Sequence, residues 1–422
     1  MASSEASAEA RRLSCPGQLC VARNSAMAAS ISEGDFVALP KAELHSHLHG
    51  TIRSATLLEL LAEHAPEHLP PPDADGPSAG AGAAAAAPPA LAACFATFAR
   101  IHRAVCTPAA VARVAREAVE DAAADGVRYL ELRTTPRVLQ HSGSSGARGE
   151  DDALDAYVGA VAEGILAASA ACACAVRLLL SFDRAGAAEG SAGWDAVSAL
   201  VQRWRGKTFL GLHPFPARPC ALLVGLDVSG HPGRGSLAAL LPRLAALRPP
   251  PHHAPHAPRL RVSLHLGELP GSEDEVAAAL AWGPERVGHM CCLTPERARA
   301  VAAGGTGAGG AALELCPTSN AVTLGLGALA QHPTLGLFLA STAPALRIAL
   351  CSDDCGVFGS ALSSEYARVA QAFGLGWARV AALAEASFAC GFAPPDVLQA
   401  ARALAPLGGA AGGASTAAPA QQ

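Results

Sequence analysis

The stretch KAELHSHLHG (residues 41–50) places His45, His47 and His49 at every second position. In a β-strand successive side chains alternate between faces, so these three imidazoles line up on one side. The apolar lead-in of Ala42 and Leu44 and the exit at Gly50 point to a strand whose end opens into a pocket. Neutral imidazole is a common transition-metal ligand. An isolated His-x-His is a weak signal, so the rest of the chain has to supply further ligands and the fold that gathers them.

Working outward, seven more short apolar runs end in polar residues: VRYLELRTTPR (127–137), AVRLLLSFDR (175–184), LLVGLDVSG (222–230), RVSLHLGE (261–268), RVGHMCC (286–292), AALELCPTSN (311–320) and RIALCSDD (347–354). Their length and apolar character suit strands buried on both faces. Helical patterns lie between most of them. TPAAVARVAREAVEDAAADG has Thr107 to cap, Pro108 for the first turn, Gly126 for the exit, and Val111, Val114, Ala115, Ala118 and Ala122 on one face. Ser272 and Glu275 are spaced as a capping box, and Thr294-Pro295 repeats the Thr-Pro start. Eight strands alternating with helices predict an α/β fold, a (β/α)8 barrel with its chemistry at the C-terminal strand ends. The alternative is an open doubly wound sheet, but the GxGxxG expected after its first strand is absent.

The chain has 422 residues, enough for one large domain or two ordinary ones, with 51% hydrophobic and 4% aromatic residues. A net charge of −5 argues against a nucleic-acid polymer as partner. The 13 cysteines are scattered and form no disulfide framework, which suggests a reducing compartment. Cys15 and Cys20 have no neighbouring ligand to complete a zinc site. The most apolar region, 158–182, is interrupted by Glu163 and Arg177, so no membrane span is expected. Residues 1–30 faintly resemble a transit segment, but Glu5 and Glu9 favour a disordered extension in a cytoplasmic protein. The barrel is expected over 31–407 and a disordered tail over 408–422. Segments 69–91, 142–152, 213–220 and 249–258 read as low-complexity loops. His252, His253 and His256 are taken as part of a solvated loop.

The strand ends collect chemistry. They carry His45, His47 and His49; Thr134, Thr135 and Arg137; Asp183; Asp227 and Gly230; His265 and Glu268; His289; Asn320; and Asp353 with Asp354. Any one alone reads as a helix cap or a satisfied core residue; eight strands doing the same is harder to dismiss. His45, His47, His265 and Asp353 make a ligand set suited to one Zn²⁺. Such an ion lowers the pKa of water towards neutrality, which suggests metal-assisted hydrolysis. Glu268 and His289 stand nearby as proton carriers.

PKAELHSHLHG, GLDVSG, SLHLGE, RVGH, CPTSN and CSDD, in that order from about residue 36 to about residue 375, resemble the motif series of the adenosine/AMP deaminase family of metal-dependent hydrolases. GTIRSATLLELL, FATFARIH, YLELRTTPR, LLLSFDR and CSDDCGVFGSALSSEYA are similar to the adenosine deaminase-like branch that acts on N6-methyl-AMP. The resemblance implies a barrel in which His45, His47, His265 and Asp353 hold Zn²⁺. It implies that Glu268 protonates purine N1, that His289 orients the water and helps to deprotonate it, and that Asp354 bonds the water or N7. Gly230 would meet the base edge. His47, His49, His102, Thr134, Thr135, Pro136, Arg137 and Asp183 would line the nucleotide pocket, and IMP would be the product. A monomer is expected.

Position 49 departs from the branch, which usually has asparagine there; adenosine deaminases have aspartate. A protonated His49 would bind a phosphate directly, and a neutral one within reach of the metal would alter the site. The rivals are a deaminase of adenosine itself, a catalytically silent nucleotide-binding relative, and a phosphotriesterase-like hydrolase. The last usually carries a bridging lysine, and no strand end has one. The H-x-E and P-C-x-x-C pair of cytidine-type zinc deaminases is also absent.

Overall fold

The computed structural model describes residues 32–69, 91–139, 149–186, 192–249, 258–307 and 310–405. The expected N-terminal extension, the tail from Gly408, most of the segments at 69–91 and 142–152, and His252, His253 and His256 lie outside the described residues. All eight apolar runs form strands: β1 (Lys41–His47), β2 (Val127–Thr134), β3 (Ala175–Asp183), β4 (Leu223–Ser229), β5 (Arg261–Leu266), β6 (Arg286–His289), β7 (Ala312–Leu315) and β8 (Ile348–Leu350). They pair in parallel in chain order, β1 to β8.

The seam between β8 and β1 has no ladder. Two backbone hydrogen bonds span it instead: His47 N–H donates to the Asp353 carbonyl at 3.1 Å, and Asp353 N–H donates to the His45 carbonyl at 2.9 Å. The result is a nearly closed (β/α)8 barrel.

Aliphatic and aromatic side chains fill the layer between strands and helices. The helix Pro108–Ala124 starts as expected, with Thr107 Oγ1 accepting from Ala110 N–H at 3.1 Å. Val111, Val114, Ala115 and Ala118 are buried on its inner face. The helix Glu273–Trp282 corrects an expectation: no capping box forms at Ser272. Ser272 Oγ donates to the Leu269 carbonyl at 2.8 Å, and Glu275 is held by Arg184 at 2.5 Å. A charged tertiary partner outcompetes the local cap. Segment 213–220 is a loop except for Cys220, which enters a two-residue antiparallel ladder pairing Thr208–Phe209 with Cys220–Ala221.

The barrel interior is charged. Glu131 and Arg133 on β2, Asp227 on β4, Arg286 on β6 and Glu314 on β7 are all fully buried or nearly so. Arg133 reaches Asp227 at 2.8 Å and Glu314 at 2.9 Å, and Arg286 bonds Glu131 at 2.5 Å and also Glu314. Arg133–Asp227, Arg133–Glu314 and Arg286–Glu131 join strands that do not neighbour one another, so those bonds cross the barrel, while Arg286–Glu314 ties the adjacent β6 and β7. Burying such charges is tolerable only when each is paired and its hydrogen bonds are filled.

Candidate active site

His45 and His47 leave β1 at its C-terminal end, as the period of two requires. His45 Nδ1 lies 2.6 Å from Glu314 Oε2 and His265 Nδ1 lies 3.3 Å from Asp227 Oδ1. A carboxylate of the charged interior thus stands behind each ring, hydrogen-bonded to His45 and at ion-pair distance from His265, and the Nε2 atoms turn to Asp353 and His47, the usual arrangement behind a metal-bound imidazole. His47 Nε2 is 3.1 Å from His265 Nε2, and Asp353 Oδ1 is 3.4 Å from both His45 Nε2 and His47 Nε2. Ser319 Oγ donates to the other Asp353 oxygen at 2.7 Å.

This arrangement fits a metal ion. Two ligands of a tetrahedral ion, each about 2.0–2.1 Å away, stand roughly 3.3–3.4 Å apart, close to the spacings seen. His45 Nε2 is buried with no hydrogen-bond partner among the described residues. His45, His47 and His265, and likewise His45, His289 and Asp353, bring their ligand atoms within 4.8 Å of one another. The cluster is also where the backbone is strained: His289, Met290 and Asp353 have φ of 65°, 54° and 63°. Such conformations are costly away from glycine and gather at functional sites. Gly288 allows the close approach on β6, since a Cβ there would stand 2.8 Å from His45 Cε1.

Glu268 Oε1 is buried without a hydrogen-bond partner among the described residues, and Oε2 lies 3.8 Å from His289 Nε2. His289 Nδ1 is 2.9 Å from the Asn320 amide, which reaches His332 at 3.3 Å. Burial lowers the His289 pKa and keeps the ring neutral. Burial and then the Asp353 carboxylate push the Asp354 carboxyl well above its usual value. A Cβ at Gly50 would lie 1.8 Å from Asp354 Oδ1, so only glycine leaves room for that carboxyl.

A cavity of about 740 Å³ joins these groups to His47, His49, His102, Thr134, Thr135, Arg137, Asp183 and Gly230. Pro136 is buried but does not line it; its carbonyl accepts from Ala192 N–H at 3.2 Å. Gly230 has φ of 107°, and a Cβ there would be 3.1 Å from Asp183 Oδ1.

His49 corrects both expectations attached to it. It does not join the metal cluster. Its ring packs edge-on to His102, centroids 4.9 Å apart, and lies 3.4 Å from Tyr157 Oη. Burial and then the Arg137 charge lower its pKa to about 3. In this environment the ring is held neutral rather than cationic.

Tyr157, Phe95, Phe98, His231, Arg133 and Glu314 were not anticipated. Tyr157 Oη lies 2.5 Å from Thr134 Oγ1. Phe95 stacks on His231 at the cavity wall, centroids 4.9 Å apart. Tyr157 interrupts an alanine-rich helix and is one of three tyrosines in the chain; that scarcity was the only signal.

Among the described residues no helix is long and apolar enough to cross a membrane. The 11 described cysteines are all free.

The adenosine deaminase family model matches residues 40–213 and 253–403. An N6-mAMP deaminase from Arabidopsis thaliana is 32% identical over 86% of this chain and 94% of its own. An N6-methyl-AMP deaminase from Bos taurus is 32% identical over 80% and 85%. The crystal structure of the Arabidopsis N6-mAMP deaminase superimposes with a TM-score of 0.66 at 30% identity, covering 87% of this chain and 97% of that one. A second Arabidopsis structure, of ADAL complexed with IMP, gives 0.66 at 30%, covering 87% and 96%. With the barrel and the His/Asp cluster at its strand ends, the chain belongs to the adenosine deaminase family and is a deaminase of the amidohydrolase type.

Proposed function

We propose that the chain hydrolyses the C6 amine of a purine 5′-nucleotide, N6-methyl-AMP above all, to IMP and methylamine. One observation carries the reading. A single cavity is lined by His47, His265 and Asp353 of the cluster with Glu268 and also by the half-buried cation Arg137 with donors from Thr134 and Thr135. The first group suits attack at C6; the second suits a 5′-phosphate, which a nucleoside lacks. The relatives' names point the same way.

His45, His47, His265 and Asp353 would hold Zn²⁺, which when bound supplies Lewis acidity towards the attacking water. His289, fixed by Asn320, orients that water. Attack at C6 breaks the ring's aromaticity and builds negative charge on N1, so N1 must be protonated. Glu268 lies in the cavity with a free carboxylate oxygen and delivers that proton. Asp354 hydrogen-bonds the water or N7. The C6–N6 bond then breaks, the amine leaves with a proton, and the water oxygen stays on C6.

Ultraviolet absorbance with N6-methyl-AMP, AMP, N6-methyladenosine and adenosine in parallel tests this. The expected result is metal-dependent formation of IMP from N6-methyl-AMP with little turnover of either nucleoside. Preference for adenosine would overturn the substrate. Silence on all four with metal bound would overturn the enzyme.

A further inference from the structure

Cys291 and Cys292 follow β6 and have no part in the chemistry above. In an extended chain neighbouring side chains point to opposite faces. Here both thiols reach the same loop. Cys291 Sγ donates to the Gly267 carbonyl at 3.4 Å, Cys292 Sγ donates to the Glu268 carbonyl at 3.3 Å, and the two sulfurs are 4.0 Å apart. Cys292 N–H also donates to the Gly267 carbonyl, at 2.6 Å. The pair clasps the two residues that carry the chain from His265 to the proton carrier. Cys291 is buried and Cys292 half-buried, which gives a reagent one sulfur to meet first.

The 4.0 Å separation selects among ways of bridging the thiols. A disulfide needs about 2.0 Å between sulfurs and usually at least about 4.4 Å between Cα atoms, whereas adjacent residues offer about 3.8 Å. A tetrahedral soft ion with bonds of about 2.3 Å holds two sulfurs roughly 3.8 Å apart. The pair is set for an ion and poorly set for a disulfide. Beside it, Glu268 Oε1 has no hydrogen-bond partner among the described residues, so little opposes a shift of that side chain.

We propose that Cys291 and Cys292 form a dithiol site for a soft, thiol-seeking ion, and that filling it disables Glu268. Binding replaces both S–H bonds with sulfur–ion bonds. The Gly267 and Glu268 carbonyls lose their thiol donors, and the loop carrying Glu268 moves. The loss of turnover rests on the proton role assigned to Glu268 above; the binding does not.

The probe is phenylarsine oxide, applied to the metal-loaded full chain. Two S–H bonds break, two As–S bonds form, and both protons leave with the arsenic's oxygen as one water; nothing is oxidised or reduced. The expected outcome is one phenylarsenic adduct on the peptide containing Cys291 and Cys292. Turnover should fall about 100-fold, the low end of what a positioned proton carrier contributes. Dimercaptopropanol should restore it and excess mercaptoethanol should not. Cys292→Ser keeps a hydroxyl donor for the Glu268 carbonyl and should neither take arsenic at this segment nor lose activity to it. An adduct mapped elsewhere, as at Cys172 and Cys174, overturns the site. An adduct on the pair with unchanged turnover, or equal inhibition of Cys292→Ser, overturns the link to Glu268. The mass readout on the parent chain needs neither a variant nor a substrate, so failure of the deaminase reading stays distinguishable from failure of this one.

Discussion

Replacing Glu314 by glutamine tests how the charged interior supports the metal cluster. Glu314 Oε2 receives His45 Nδ1 at 2.6 Å, Arg133 Nη2 at 2.9 Å and Ser263 Oγ at 3.0 Å; Oε1 receives Ser263 Oγ at 3.0 Å and Arg286 Nε. The side chain is fully buried, and Arg133 followed by Arg286 holds its carboxyl well below the usual range against the pull of burial. An amide has one oxygen, so either orientation turns its NH₂ on a guanidinium. Arg133 keeps Asp227 and Arg286 keeps Glu131, but the central negative charge is gone. Removing one partner of a buried pair costs about 3–5 kcal/mol, a large share of a typical folding stability of roughly 5–15 kcal/mol. His45 also loses its carboxylate partner, a kind of change that lowers metal affinity about 10–100-fold. Urea unfolding with chelator present isolates the first effect; competition with a chromophoric chelator isolates the second. A stability within about 0.5 kcal/mol of the parent, the usual range for a surface change, together with unchanged metal affinity would refute the argument.

Gly50→Ala drives a Cβ to 1.8 Å from Asp354 Oδ1; kcat should fall on the order of 100-fold, as for a misplacement of about 1 Å. Parental kcat in a folded variant would show that Asp354 has no fixed task. Arg137→Gln should raise KM for the nucleotide about 10–100-fold, the value of a charged hydrogen bond, and leave nucleoside turnover alone; equal losses on both would remove the phosphate assignment. Glu365 is buried, its carboxyl raised from 4.5 to about 7 by desolvation against hydrogen bonds from Ser360 and Thr318. The folded state therefore binds more protons than the unfolded state between those values, and stability falls as pH rises through that window. Glu365→Gln should flatten that slope in unfolding measured from pH 4 to 8, and an unaltered slope would assign it to other groups.

The strands were legible because a parallel strand covered on both faces reads as an unbroken apolar run, and RVSLHLGE or RIALCSDD turns polar where the barrel turns catalytic. The charged interior was not legible. Glu131, Arg133 and Glu314 each stand as single letters inside such runs, and only the closed barrel brings β2 opposite β7. His49 misled for the same reason. Its neighbours in sequence suggest an open strand end, but the groups that bury and neutralise it, Tyr157, His102 and Arg137, come from far along the chain. The capping box at Ser272 failed because Arg184, 91 residues from Glu275, claims the glutamate.

The seam explains why fold and site stand or fall together. A barrel of eight strands needs β8 to meet β1, yet β8 is only three residues long and forms no ladder there. Both hydrogen bonds of the closure belong to Asp353, and their partners are the backbones of His45 and His47. To make them Asp353 takes a left-handed conformation, φ 63°, which also aims its carboxylate at the two imidazoles. Three of the four proposed ligands are thus the residues that close the barrel. A metal ion bound by all of them ties β1 to β8 through side chains where the backbone does so least. Whatever binds the folded state and not the unfolded one adds its binding energy to stability, so loss of the ion should loosen this seam before any other pair of strands. Hydrogen exchange at the His47 and Asp353 amides, with and without chelator, reads that loosening directly; equal acceleration across all eight strand pairs would contradict it.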